Sequence, residues 1–212
     1  MIARRSAVTE RTRVLNQLQA LSATAPISLR ERVREGTGKQ LERRVLSMRA
    51  RSAATLEEQI AFSVMRDLAA RPRTLSADAN RYEHQLADLI RSLDDTLLDE
   101  PGIGPISAAK LLAFDATRFT SEGAFARCNG TAPIPASSGK TIRYRLNHGG
   151  DRQANSAIHT IAIIRAKHQP ETRAYLERRI QEGKTKREAL RTLKRHISRE
   201  LYQRLNAIPL TS

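Results

Sequence analysis

The segment APIPASSGKTIRYRL, Ala132 to Leu146, holds the residues best suited to covalent chemistry. Ser137 and Ser138 stand together before Gly139, with Lys140, Arg143 and Arg145 close behind. A serine hydroxyl on such a loop can attack phosphorus, and neighbouring cations can stabilise the charge that builds on the phosphoryl oxygens. The same pair also suits an ordinary turn, because a serine hydroxyl readily bonds nearby backbone. The residues alone leave both readings open.

Two further stretches suit a bound anion. In LLDEPGIGPISAAKLL, Leu97 to Leu112, a helix is expected to end near Leu98, turn tightly at PGIG and restart at Pro105. Gly102 and Gly104 are read as backbone positions closed to other residues, and Ile103 as a plug between the two helices. Proline suits the first helical turn, where a missing N–H costs nothing. The free N–H groups there, with the positive end of the helix, can take a phosphate, and Lys110 adds a cation. A plain helical corner without a ligand has the same pattern. In NHGGDRQANSAIH, Gly149 and Gly150 precede a helix start capped by Asp151, with Arg152 and Asn155 on its exposed face. This too reads as an anion site or as a simple hairpin-to-helix connection. His148 and His159 lack a cysteine at metal-ligand spacing, so no metal site is expected. Cys128 is read as a core residue, and His84, His168 and His196 as surface groups.

The elements that must position these residues are mostly helical. Residues 3–21 carry Val8, Leu15, Leu18 and Leu21 at helical spacing. Ser28 to Glu31 and Thr55 to Glu58 read as capping boxes that open two more helices. Gly36 and Gly38 interrupt the first of these, and a basic helical pattern resumes over 39–51. The helix opened by Thr55 is expected to stop near Ala70, before RPR at 71–73. A following stripe runs Leu75, Tyr82, Leu86, Leu89, Leu93. Residues 99–150 contain 7 of the 10 glycines and 4 of the 8 prolines, which marks loop-rich backbone. Within them, Lys140 to Leu146 alternates like a short half-buried strand. Afterwards a helix is expected from Asp151 to about His168, with Ala154, Ala157, Ile158, Ile161 and Ile164 inward. Pro170 starts another and Gly183 ends it. Thr185 to Glu188 is a third capping box, opening a helix to about Asn206. Leu190, Leu193, Ile197, Leu201 and Leu205 form its apolar face, and Lys186, Arg187, Arg191, Lys194, Arg195 and Arg199 fill much of the rest.

The fold class is therefore mainly α. Helical hairpins or a coiled coil are expected over 1–96. A helix-hairpin-helix-like domain with a short β-hairpin or strand insertion is expected over 97–212. The 212-residue chain has a formal charge of +15 and only 4% aromatic residues, so its core must be aliphatic. Residues 140–212 hold 17 Lys and Arg against 6 Asp and Glu. That excess points to a polyanionic partner, DNA or RNA. One cysteine allows no disulfide within the chain, and no apolar run approaches membrane-spanning length. A cytoplasmic location with no membrane partner is expected.

Taken together, EPGIGPISAAKLLAF, NGTAPIPASSGKTIRYRLNHGG and DRQANSAIHTIAI resemble the C-terminal domain of one group of insertion-sequence transposases. It is the IS-one-ten group, with its IS-one-sixteen and IS-nine-oh-two relatives; the pilin-gene DNA invertases are similar. The likeness is close over about 97–168 and looser through the final helices. It implies a serine nucleophile in the glycine-ended loop, with Ser138 first and Ser137 in reserve. It also implies DNA contacts from the hairpin (Gly102, Ile103, Gly104, Lys110), the loop and strand (Lys140, Arg143, Arg145) and the glycine turn (Gly149, Gly150, Arg152). The last helix would add Lys186, Arg187, Arg191, Lys194 and Arg195. The resemblance further implies a homo-oligomer joined through the coiled coil and, in some members, a structured guide RNA. The group binds magnesium on four acidic residues of a separate resolvase-like domain. No cofactor is expected in this chain itself, because Asp94, Asp95, Asp99 and Glu100 sit at a helix end and are no substitute. The chain is thus expected to be a truncated C-terminal part.

Overall fold

A computed structural model describes residues 1–33, 36–50, 54–135, 144, 145, 147 and 149–208. The described residues are mainly α-helical and fall into two compact units, Met1–His84 and Gln85–Ser212. The first unit contains α1 (Ile2–Thr24), α2 (Ile27–Arg32), α3 (Gly38–Ser47) and the start of α4 (Leu56–Leu93), which continues into the second. The second unit adds α5 (Pro105–Phe114), α6 (Glu122–Cys128), α7 (Arg152–His168), α8 (Pro170–Gln181) and α9 (Lys186–Asn206). Short 3-10 turns stand at Leu97–Asp99 and Ala116–Arg118. Strands β1 (Ile134–Pro135) and β2 (Tyr144–Arg145) pair antiparallel, Ile134 opposite Arg145. Most of the strand expected at Lys140 to Leu146 lies outside the described residues.

Several helices differ from expectation for identifiable reasons. The break at RPR does not occur: α4 runs unbroken through Pro72. An interior proline costs about 3 kcal/mol, chiefly a lost backbone bond and a clash one turn back. Here Phe62, Met65, Ala69, Pro72 and Ala79 are all buried at helical spacing. Each large apolar side chain so buried contributes about 1.5–3 kcal/mol, which outweighs the break. The Ser28 to Glu31 box does not form either, because α2 is entered from Pro26 without a side-chain cap. The box at Thr55 does form: Glu58 N–H donates to Thr55 Oγ1 at 3.2 Å, and Thr55 N–H to Glu58 Oε2 at 3.2 Å. On α1 the buried line is Ala7, Val14 and Leu18, rotated from the expected stripe, of which only Leu18 is buried. On α4 the expected stripe is also displaced. Leu89 is 59% exposed, whereas Ala87 and Ile90 are buried.

The first unit's core joins Leu18, Leu29, Val45, Phe62 and Met65. In the second unit Leu97, Ile103, Leu111, Phe125, Ile158, Ile161, Ile197 and Leu201 form one cluster. Ala162 is buried on α7, while Ile164, expected inward, is 37% exposed. Phe125 sits within 5.5 Å of Phe114, Phe119 and Tyr202, ring centre to ring centre. The Tyr202 hydroxyl donates to the Phe119 carbonyl at 3.0 Å, which gives this cluster's polar end a partner. Cys128 is exposed, contrary to expectation. Helix α6 buries its Phe125 and Ala126 face, so its last turn points Cys128 outward.

The PGIG hairpin is built from one tight turn. The Ile103 N–H donates to the Glu100 carbonyl at 3.0 Å, and Gly102 has φ of 84°. Proline second and glycine third is the type II pattern, which needs positive φ at the glycine. A Cβ on Gly102 would stand 3.1 Å from the Ile161 carbonyl, so α7 packs directly on this turn. Gly104 is different: its φ of −94° suits any residue, and it has open space around it. The element before the turn is also not the expected helix to Leu98. Helix α4 ends at Leu93, and only the 3-10 turn at Leu97–Asp99 intervenes. Asp94 accounts for that stop. Its Oδ1 accepts from the N–H groups of Thr96 and Leu97 at 2.9 and 3.1 Å and from the Thr96 hydroxyl at 2.8 Å. Its Oδ2 meets Arg204 of α9 at 2.6 Å.

Gly102→Ala is expected to cost about 1–3 kcal/mol of stability in chemical denaturation, whereas Gly104→Ala should be near neutral. Equal effects would contradict the turn geometry. Asp94 gives a pH prediction. Burial alone would raise its carboxyl, but Thr96's hydroxyl and N–H and the Arg204 guanidinium together hold it below the usual carboxylate range. A folded-state pKa below the unfolded value stabilises above the unfolded value, about 3.9, and that stability is lost as pH falls through the folded one. Asp94→Asn should therefore lower stability at neutral pH and flatten the acid limb of a pH–stability curve.

Candidate nucleic-acid interface

The residues expected to touch nucleic acid gather partly around the first turns of α7. Two turns meet there. One is Cys128–Gly130, which ends α6 and leads into β1. The other is Asn147–Asp151, which follows β2 and starts α7. The Asp151 N–H donates to the Cys128 carbonyl at 2.6 Å, and Asn147 Nδ2 donates to the Arg127 carbonyl at 3.0 Å. The contact is too close for side chains. A Cβ on Gly150 would overlap the Gly130 backbone, and one on Gly130, at φ of 75°, would stand 2.8 Å from Asn155 Nδ2. Asp151 caps α7 by accepting from the Ala154 N–H at 2.7 Å.

Behind these turns lies a polar network. Asn129 is fully buried. Its Oδ1 accepts from the Thr131 N–H at 3.1 Å and the Thr131 hydroxyl at 2.6 Å, and its Nδ2 donates to Ser198 Oγ of α9 at 2.8 Å. Its carbonyl accepts from Asn155 Nδ2 at 2.8 Å. Asn155 Oδ1 in turn accepts from Lys194 Nζ of α9 at 2.6 Å. Asn155 was expected on the exposed face of α7, but its amide turns inward to this network. Lys194 is only 8% exposed, and burial pushes its ammonium below its ordinary range. His159, one turn along α7, is also pushed down, by burial first and then by the Lys194 charge.

The remaining basic residues divide into committed and presented groups. Arg195 pairs with Glu122 of α6, and Arg199 meets the same carboxylate at 3.5 Å. Burial, then the Arg199 charge, lowers Arg195 from its usual value. Arg165 donates to the Pro101 carbonyl at 2.9 Å and meets Glu200 at 2.6 Å, which holds the PGIG turn from α7. Lys110 of α5 reaches Ser156 Oγ at 3.3 Å, beside Asn155. Arg145, Gly149, Arg152, Lys186 and Arg187 are exposed; Gly150 and Arg191 are half-buried. Ile103 is a core residue at 4% exposure. Ser137, Ser138, Lys140 and Arg143 lie outside the described residues. Their segment is bracketed in the sequence by the two interlocked turns.

Asn129, Thr131, Arg165 and Ser198 form, with Asn155, a polar layer of which the sequence pointed to Asn155 alone, and to its exposed face. One signal was present: Lys194 and Ser198, one turn apart, interrupt the apolar face of α9. The acidic residues near the hairpin do not fit a divalent ion. Asp94 is taken up by Thr96, Leu97 and Arg204, and Glu100 meets Arg165 at 3.8 Å and Arg204 at 3.6 Å. No group of three or more acidic, His or Cys side chains suited to a metal occurs among the described residues. No described helix is long and apolar enough to cross a membrane.

A search of curated proteins finds none that matches the chain. Residues 94–177, from the Asp94 brace through both interlocked turns into α8, match the family model described as Transposase IS116/IS110/IS902 family. Over that span, 84 of the 212 residues, the chain is similar to the transposases of that family.

Proposed function

We propose that this chain is the DNA-binding and strand-exchange part of an insertion-sequence transposase. Its substrate is DNA, and the Ser138 hydroxyl is the nucleophile, with Ser137 the reserve. The observation that carries the reading is the bracketing of the serine segment by two interlocked glycine turns inside the matched domain. Gly149 precedes the start of α7 and Arg152 stands in its first turn, both exposed, at a helix end that favours phosphate, and exposed Arg145 lies on β2 just before them in sequence. Lys110, Lys186, Arg187 and Arg191 extend the basic surface. Lys140 and Arg143 flank the serines in sequence and would stabilise charge on the attacked phosphate. The acidic magnesium-binding set belongs to a separate domain, with which this chain would act as a homo-oligomer.

A second reading is a non-catalytic protein that binds DNA or a structured guide RNA, or joins full-length oligomers and modulates them. Exposed Arg145, Arg152, Lys186 and Arg187 support it, because binding through them needs no metal and no nucleophile.

Binding to duplex DNA across a salt series tests the shared part. A steep slope of log affinity against log salt is expected, at about 0.9 per neutralised phosphate, and Arg152→Ala should reduce it by about one contact. With an acidic domain supplied in trans, Ser138→Ala should abolish excision and leave binding near normal. Full excision by that variant would sink the serine assignment. Excision lost only in Ser137→Ala would transfer the role to the neighbouring hydroxyl.

A further inference from the structure

The buried lysine of α9 has no role in the surface reading above. Lys194 lies on the inward face of its helix, among Leu193, Ile197 and Leu201. Buried charges in proteins are ordinarily paired with an opposite charge, because leaving water costs several kcal/mol otherwise. Among the described residues Lys194 pairs with no carboxylate. Its hydrogen-bond partner is the neutral amide of Asn155, at 2.6 Å. It also stands near the positive end of α7, which adds to the cost. An apolar side chain at this site would be cheaper to bury. What the lysine supplies is reach and a donor, since its four-carbon stem spans from α9 to the first turn of α7.

That donor acts on a specific joint. Asn155 uses its oxygen for Lys194 and its Nδ2 for the Asn129 carbonyl at 2.8 Å. Ser198, one turn on from Lys194, takes the Asn129 side chain at 2.8 Å. Helix α9 therefore holds both asparagines, one on each of the two interlocked turns' supporting elements. We propose that Lys194 is a positioning residue: acting through Asn155, it holds the Asn129–Gly130 turn against the Gly149–Gly150 turn and so fixes Arg145 and Arg152 for nucleic-acid binding. The binding half of this inference rests on the function proposed above; the positioning half does not.

The test compares Lys194→Met, which removes donor and charge, with Lys194→Gln, which keeps a donor. The first measurement is amide exchange of the full chain without nucleic acid. In Lys194→Met the amides of Gly130, Thr131 and Asp151 should lose protection while Ile197 in α9 keeps its own. Lys194→Gln, with its donor on a stem one bond shorter, should restore part of that protection. The second measurement is affinity for a duplex DNA oligonucleotide across a salt series. Lys194→Met should weaken binding about tenfold with an unchanged salt slope, because no phosphate contact is removed. Unaltered exchange at the turns overturns the proposal whatever the binding shows. A slope reduced by about one contact also overturns it, by making Lys194 a direct phosphate ligand. If the wild-type chain binds no DNA, the proposed function fails, and the exchange result still decides the positioning role.

Discussion

Burying the Asn129 side chain imposes the constraint on which the second unit's arrangement depends. A primary amide has two donors and an acceptor with two lone pairs, and leaving them unmade inside a protein costs about 1–3 kcal/mol per group. Asn129 lies 0% exposed, so its partners must come to it. Thr131 supplies two donors from the same turn, and Ser198 supplies a partner 69 positions away. Asn155 then fixes the carbonyl of the same residue. The meeting of α6, α7 and α9 is thus set by hydrogen-bond geometry as well as by apolar packing, which is non-directional. Apolar contact alone would tolerate small slips between helices. A network of this kind tolerates few, because a slip leaves a buried group unpaired.

The basic charge is divided by the same architecture. Much of the C-terminal excess does structural work inside the unit. Arg204 braces Asp94 at the end of α4, Arg165 holds the PGIG turn, and Arg195 and Arg199 share Glu122. These cations have a carboxylate or carbonyl in place of a phosphate. Arg145, Arg152, Lys186 and Arg187 remain exposed. The formal charge therefore overstates what can be offered to a polyanion. Of those exposed cations, Arg152 stands in the first turn of α7, where the helix contributes its positive pole.

Much of this was legible in the sequence wherever the determinant is local. Thr55 with Glu58, and Thr185 with Glu188, form the caps their spacing implies, and Thr185 N–H reaches Glu188 Oε2 at 2.9 Å. Pro170 starts α8, and Gly183 closes it at φ of 88°. Gly102 needs its positive φ. What failed was local inference against a tertiary opponent. Pro72 stays helical because its ring is buried along the apolar line of α4. Gly104 resembles Gly102 in sequence but lacks any steric need for glycine. The stripes on α1 and α4 are rotated because small alanines, which carry little hydropathy, mark the close contacts. Nothing local distinguishes Asn155 from an exposed asparagine, because its partners are 26 and 39 positions away.

Gly150 packs so closely on the Gly130 backbone that it admits no Cβ, while a Cβ on Gly130 would meet Asn155 Nδ2, and the two glycines bracket the segment that contains the serines. Two backbones in direct contact make a stiff base, since no side chain lies between them to change rotamer. A nucleophile benefits from such a base, because misplacement by about 1 Å can cost about a hundredfold in rate. The base is assembled from segments far apart in the chain, so it forms only once α6, α7 and α9 have packed. Any competence for chemistry in the segment between the two turns is therefore tied to the folding of the whole second unit. A shorter piece containing 129–150 alone would keep the glycines and lose Asn155, Lys194 and Ser198, the groups that hold them together.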